Sequence, residues 1–189
     1  MPEAPTPRSA RSRSAILRAA TDLCAELGYG SVTIEAIAAK ARVGKPTVYR
    51  WWPSKHAVLL DAMLEIGAEF SISTSPTGDV VADLRAWLHN CADTLNDPTL
   101  RPLITGVLGA AQTDPALKTA IRDRMHIPLR ARNQTDLVAA QQAGQLPHLD
   151  LDLLEDALVA PLWYRLLVSG EPFDRAFADA VLAQVLRLT

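Results

Sequence analysis

Apolar residues recur at the three-and-four spacing of amphipathic helices along most of this 189-residue chain, and the two-residue alternation of half-buried strands is missing. The first such stripe is Ile16, Leu17, Ala20, Leu23, Cys24 and Leu27, stopped by Gly28 and Gly30. Thr33 is a good N-cap for a second, short helix with Ile34, Ile37, Ala38 and Ala41 on one face. The chain then turns through Arg42-Val43-Gly44, and Lys45-Pro46-Thr47 starts a third helix running to about Trp52, where Pro53 forbids continuation. Ser54 caps a fourth, with Val58, Leu59, Ala62, Met63, Ile66 and Phe70 as its buried stripe, ending near a loop over 71–79.

The pattern resumes over about 79–95, where Val80, Leu84, Trp87, Leu88, Cys91 and Leu95 share a face, and Asp97-Pro98 ends it. A short segment over 99–112 follows. Asp114-Pro115 then opens a long helical stretch to about Gly144, with Pro128 predicted to kink it. Two helices close the chain. One, over about 150–169, begins with Asp150, Asp152, Glu155 and Asp156 near the positive end of its dipole and becomes apolar on all sides; the other covers about 174–188. Hydrophobic residues at 49% and charged residues at 21% suit a folded globular chain. The expected architecture is all-α: a solvated basic arm over 1–13, a compact helical domain over 14–60 and a C-terminal helical bundle over 61–189.

The net charge of −2 hides an asymmetry. Residues 1–55 hold nine basic side chains against four acidic ones, a net +5, and the remainder is −7. A polyanion is the natural partner of the first part. Cys24 and Cys91 make no disulfide framework and lie in no CxxC or CxxH spacing, which fits a reducing compartment. No run reaches the roughly 20 apolar residues that span a bilayer. The best candidate, 157–168, is interrupted by Pro161 and Arg165 and reads as a buried helix, so a cytoplasmic protein is expected. His56, His89, His126 and His148 are scattered, and no HExxH, GxSxG, P-loop or GxGxxG occurs. Neither enzyme chemistry nor a cofactor or metal is expected; the helix dipole already accounts for the carboxylates of 150–156.

Two short helices joined by about four residues, with Ala41 ending the first and Val48 inward on the second, have the spacing of a helix-turn-helix. The second carries Lys45, Thr47, Tyr49, Arg50 and Trp51 in place of a simple Lys/Glu surface. Such a helix can enter a major groove, reading base edges and the thymine methyl while Tyr49 and Lys45 reach phosphates. Lys55 adds a further donor, and Trp52 reads as a core residue. Arg8, Arg11 and Arg13 of the arm can follow the DNA backbone or a minor groove, or stay solvated.

The segment TIEAIAAKARVGKPTVYRWWPSKHAVLL, residues 33–60, resembles the DNA-binding domain of TetR-type bacterial transcriptional regulators, and the likeness covers 14–60. APLWYRLLVSGEPF (160–173) is similar to the end of the penultimate helix in one branch of that family. The resemblance implies that Thr33 and Lys55 hold phosphates, that Lys45, Pro46, Thr47, Tyr49 and Trp51 line the DNA-facing side of the third helix, and that Tyr49 is the phosphate-contacting tyrosine. Departures are Arg42 where glycine is common, Gly44 in place of a cap hydroxyl, and Trp52 where phenylalanine is usual.

The same resemblance implies a homodimer through the last two helices, about 150–188, and a palindromic double-stranded operator. A helix apolar on all sides agrees independently, since it needs cover on two faces, from its own bundle and from a partner; deep burial in a monomer is the alternative. Arg165, the lone charge there, is expected to find a carboxylate or carbonyl. Family likeness further implies a repressor released by a small-molecule effector of unknown identity, in a cavity among the helices of 79–169. Trp87, Cys91, Val107, Met125 and Trp163 are candidate lining residues, and plain core is the competing reading for each. The alternative class is a helical small-molecule-binding or interaction module without a DNA role.

Overall fold

A computed structural model describes residues 7–67 and 77–187; Phe70, the loop over 71–76 and Leu188 lie outside the described residues, as do the side chains of Arg8 and Ile66. Among the described residues there are ten α-helices and no strand: α1 (Pro7–Leu27), α2 (Ile34–Lys40), α3 (Lys45–Tyr49), α4 (Lys55–Gly67), α5 (Val80–Asn96), α6 (Arg101–Ala111), α7 (Pro115–Ile121), α8 (Ile127–Gln142), α9 (Leu151–Tyr164) and α10 (Arg175–Arg187). A 3-10 turn, Tyr29–Ser31, follows α1. The chain packs as two compact units. One holds α1–α4 and α6, the other α5 and α8–α10. α6, which the hydrophobic pattern left as a short segment of the C-terminal part, packs on α1 and the 3-10 turn.

The caps read from the sequence are in place. Thr33 accepts from the Ala36 amide at 3.1 Å and Ser54 from Ala57 at 3.3 Å. Asp79 and Asp150, which the sequence reading does not name as caps, each accept from two amides of the helices they open. The N-terminal segment departs from expectation. Residues 7–13, read as a solvated arm, are the first turns of α1. Pro7 suits a helix start, and Arg13 is pinned rather than solvated: it pairs with Asp61 at 3.2 Å and Glu65 at 2.7 Å on α4, beside the Trp52 ring. α3 is shorter than expected, ending at Tyr49 rather than Trp52, because Pro53 drives the residue before it out of helical geometry. In the long stretch, the irregularity is a π-helical turn over Arg122–His126. Pro128 lacks an N–H for the Arg124 carbonyl and crowds it, and widening the preceding turn relieves both.

The first core is built by Ile16, Leu17, Ala20 and Cys24 of α1 with Ile37, Val48, Val58 and Leu59, all nearly or wholly inaccessible. In the second unit, Leu84, Leu88 and Leu95 of α5 are buried with Leu158 of α9 and Leu182 of α10. Buried polar side chains, Asn133 and Glu155 with them, sit among these apolar ones. Asn133 of α8 donates to Glu155 of α9 at 2.8 Å, and Arg130 reaches Asp152 at 2.9 Å and Asp156 as well. Burial pushes the Glu155 carboxyl up, against the Asn133 hydrogen bond and the Arg130 charge. Arg165 finds its partners in the Pro172 carbonyl and Glu171, at 3.2 Å, and lies over the Phe177 ring.

The turn between α2 and α3 stores strain. The Val43 amide bonds the Ala38 carbonyl at 2.9 Å and the Arg42 amide the Ala39 carbonyl at 3.1 Å, the two bonds of a Schellman ending. That geometry forces residue 42 into the left-handed region, and Arg42 sits there at φ 54°. Arg42→Gly is therefore expected to raise unfolding stability by about 1 kcal/mol in urea denaturation. The cysteines give a second expectation. Burial, the larger effect in each case, pushes the Cys24 thiol up to about 11 and the Cys91 thiol up to about 12. Both should resist a thiol reagent at neutral pH until the protein is unfolded. Since folded values lie above the ordinary 9.0, their contribution to stability is intact below about pH 9 and lost as pH rises through 11 to 12, which urea midpoints measured across that range will report.

Candidate nucleic-acid interface

α3 is five residues long and presents its outer face because one side chain faces inward: Val48 is fully buried. Gly44 precedes it in extended geometry and supplies no side-chain cap. The loss is small, since Pro46 has no N–H to satisfy and the Thr47 amide bonds the Gly44 carbonyl at 2.9 Å. Behind the helix Trp52 is 3% exposed, and its indole N–H donates to Asp61 at 2.8 Å. Asp61 also receives Arg13, so α1, α4 and the end of α3 meet on one carboxylate.

Outward lie Lys45, Pro46 and Tyr49, the last half exposed, with Thr47 partly covered. Trp51, expected on the DNA-facing side, is half-buried; its indole nitrogen is buried without a hydrogen-bond partner, and its ring packs between Trp52 and the Arg50 guanidinium. Trp51 thus supports the end of the helix, and the exposed cation beside it is Arg50. Arg42 is exposed on the turn. Arg50 projects from the same run of polar residues in the sequence, but nothing in the spacing separates it from an ordinary solvated arginine.

The two lysines expected to meet DNA are engaged within the protein. Lys45 Nζ is 2.7 Å from Glu35 Oε1, and this hydrogen-bonded pair holds the ammonium above its ordinary value and the carboxyl below its own. Both groups are exposed, so the pair is weak and exchangeable. Lys55 donates to the Gly30 carbonyl at 3.0 Å and lies 5.6 Å from the centre of the Tyr29 ring. Thr33, at the start of α2, spends its hydroxyl oxygen on the Ala36 amide. Glu35 and Tyr29 are the residues sequence reasoning missed. Glu35 had no signal beyond being an acid on a basic surface, and Tyr29 looked like part of a helix stop.

The five candidate ligand-lining residues are divided between the two units. Val107 is buried in the first unit; Trp87 and Cys91 are buried on α5 in the second, where Met125 and Trp163 are half-buried. A shallow groove of about 570 Å³ runs along α8, lined by Ala131, Gln134, Thr135, Val138, Ala139 and Gln142, none of them a candidate. No helix among the described residues is long and apolar enough to cross a membrane.

Comparison with known proteins places this geometry. Residues 16–62 match the family of bacterial regulatory proteins of the tetR type, and residues 74–185 match the tetracyclin repressor-like C-terminal domain. The chain is 33% identical over 172 residues to the HTH-type transcriptional regulator YdeS of Bacillus subtilis, covering 90% of this chain and 86% of that one. Among solved structures, the TetR family transcription regulator SCO0332 is 34% identical with a TM-score of 0.77, covering 94% of this chain and 98% of the other. FadR from Bacillus subtilis, solved in complex with stearoyl-CoA, shares the fold at 20% identity and a TM-score of 0.73, covering 92% and 97% of the two chains. These regulators form a non-enzymatic class. An inward Val48, a Schellman turn and a cationic outer face on α3 thus belong to a matched helix-turn-helix domain, and the chain is a member of the TetR family of DNA-binding transcriptional regulators.

Proposed function

We propose that the protein is a cytoplasmic homodimeric repressor that reads a palindromic operator with α3 and is released by a small molecule bound in its second unit. The observation that carries the DNA reading is the outer face of α3 and its flanks: Lys45, Pro46, Thr47 and Tyr49 outward over a buried Val48, with Thr33 and Lys55 at the neighbouring helix starts. On DNA, Lys45 exchanges Glu35 for the polyanion, Tyr49 and Lys55 reach phosphates, and Arg50 and Arg42 add charge.

An unpartnered apolar stripe supports the dimer. Leu153, Tyr164, Leu167 and Val168, on α9 and its π-helical continuation, are 49% to 70% exposed, far more than such side chains need to be in a monomer with a covered face. A two-fold partner on this stripe and α10 completes the cover that the all-round apolar sequence calls for. The effector reading rests on family likeness and on the stearoyl-CoA complex of the FadR neighbour. Met125 and Trp163 are the candidates with partly accessible side chains in the second unit. Half-sites in successive turns of DNA lie about 34 to 36 Å apart, and a ligand that favours a wider separation of the two α3 helices mismatches them.

Selection of bound duplexes from a random pool is expected to enrich a palindrome. With six phosphate contacts per dimer, log affinity should fall with log salt at a slope of about −5, and Tyr49→Ala should weaken binding to the selected site. Failure to enrich any sequence would overturn the DNA reading in favour of an interaction module. For the dimer, Leu167→Asp with Val168→Asp should yield a folded monomer in sedimentation, with operator affinity lost alongside; an unchanged dimer would place the interface elsewhere.

A further inference from the structure

Tyr29 sits in a 3-10 turn yet joins two other elements, α4 and α6. Its ring rests against the backbone of Gly106 on α6: a β-carbon added there would fall 2.4 Å from Tyr29 Cβ and 2.6 Å from Cγ, closer than real atoms approach. Only glycine leaves room for this ring. At its far end the hydroxyl is 2.6 Å from His56 Nδ1 on α4, and the two rings lie 5.9 Å apart. Over its face, 5.6 Å from the ring centre, is the Lys55 ammonium, which also donates to the neighbouring Gly30 carbonyl at 3.0 Å. Burial, ahead of the charges of Cys24 and Asp114, pushes the Tyr29 hydroxyl up to about 12, so it stays protonated and able to donate to His56.

A lysine ammonium on a four-carbon stem has no fixed direction of its own. Here the ring face and the Gly30 carbonyl fix it, using one N–H and leaving two for a phosphate. The ring is fixed in turn by the glycine notch on α6. We propose that Tyr29, seated in the Gly106 notch, is a positioning residue for Lys55, holding its ammonium at the DNA-facing edge of the domain. The inference rests on the DNA reading above and adds to it a defined route from α6 to one phosphate contact. It makes Gly106 a contributor to DNA affinity although it lies on α6, outside the helix-turn-helix itself.

The test uses the full chain and the duplex that wild-type protein selects from a random pool, with affinity measured across salt. Lys55→Gln removes one phosphate contact per subunit and should reduce the magnitude of the salt slope by about 1.8 for a dimer. Gly106→Ala, which evicts the Tyr29 ring, should reduce it by the same amount, and combining it with Lys55→Gln should bring no further reduction. Tyr29→Leu removes the ring face and hydroxyl while keeping the Cβ and Cγ that lie against Gly106, and should behave likewise, which keeps the test decisive if the alanine variant misfolds. Folded variants with the wild-type slope, or reductions that add to that of Lys55→Gln, overturn the proposal, because a merely structural role for Tyr29 would weaken binding without erasing the Lys55 contribution. If Lys55→Gln itself leaves the slope unchanged on a selected duplex, the positioning role falls while the regulator reading stands. If wild-type protein selects no duplex, the regulator reading falls first.

Discussion

A helix of five residues has no stability of its own, since isolated helices shorter than about 12 to 15 residues are marginal in water. The outer face of α3 therefore depends on the burial of Val48 and, just beyond it, of Trp52. Trp52 is fixed at both ends of its chemistry: its ring is packed, and its N–H is spent on Asp61, a carboxylate that also holds Arg13 of α1. A buried N–H left unbonded costs of order 1–3 kcal/mol, so this carboxylate holds Trp52, just beyond α3, in place. The Schellman turn does the same at the other end, tolerating an arginine in left-handed geometry to bring α3 across α2.

The charges on the outer face follow a different logic from the core. Lys45 and Lys55 are not waiting free for a polyanion; each already has a partner in Glu35 or in Gly30 and Tyr29. Exposed pairs of this kind stabilise the fold by little, and their value lies in limiting where the ammonium groups point. Replacing an internal carboxylate by phosphate keeps a charge-assisted hydrogen bond while releasing counterions from DNA. The same surface therefore orients its cations without holding them too tightly to surrender.

How much of this was legible varies with the physics of each feature. The helices could be read because burial imposes a 3.6-residue period, and the caps at Thr33 and Ser54 because an orphan amide selects a short polar side chain. Inward Val48 and Trp52 followed from the same period. The helical start at Pro7 was missed because an arm rich in Ser and Arg carries no apolar stripe; it is held by Arg13 reaching residues about fifty positions away. The resemblance places Trp51 outward, whereas its indole nitrogen is buried and its ring lies near Trp52 and the Arg50 guanidinium.

By itself the sequence determined the helical class, the short second and third helices and the basic first part, since each is a matter of local period, capping or charge count. Only the tertiary structure decided that α6 packs with the N-terminal helices, that the expected ligand-lining residues fall in two units, and that Tyr29, Gly106 and Lys55 meet. These depend on contacts between residues far apart in the chain. A tyrosine beside a glycine stop and a glycine in a later helix carry no mutual signal until folding presses the ring of one against the bare backbone of the other.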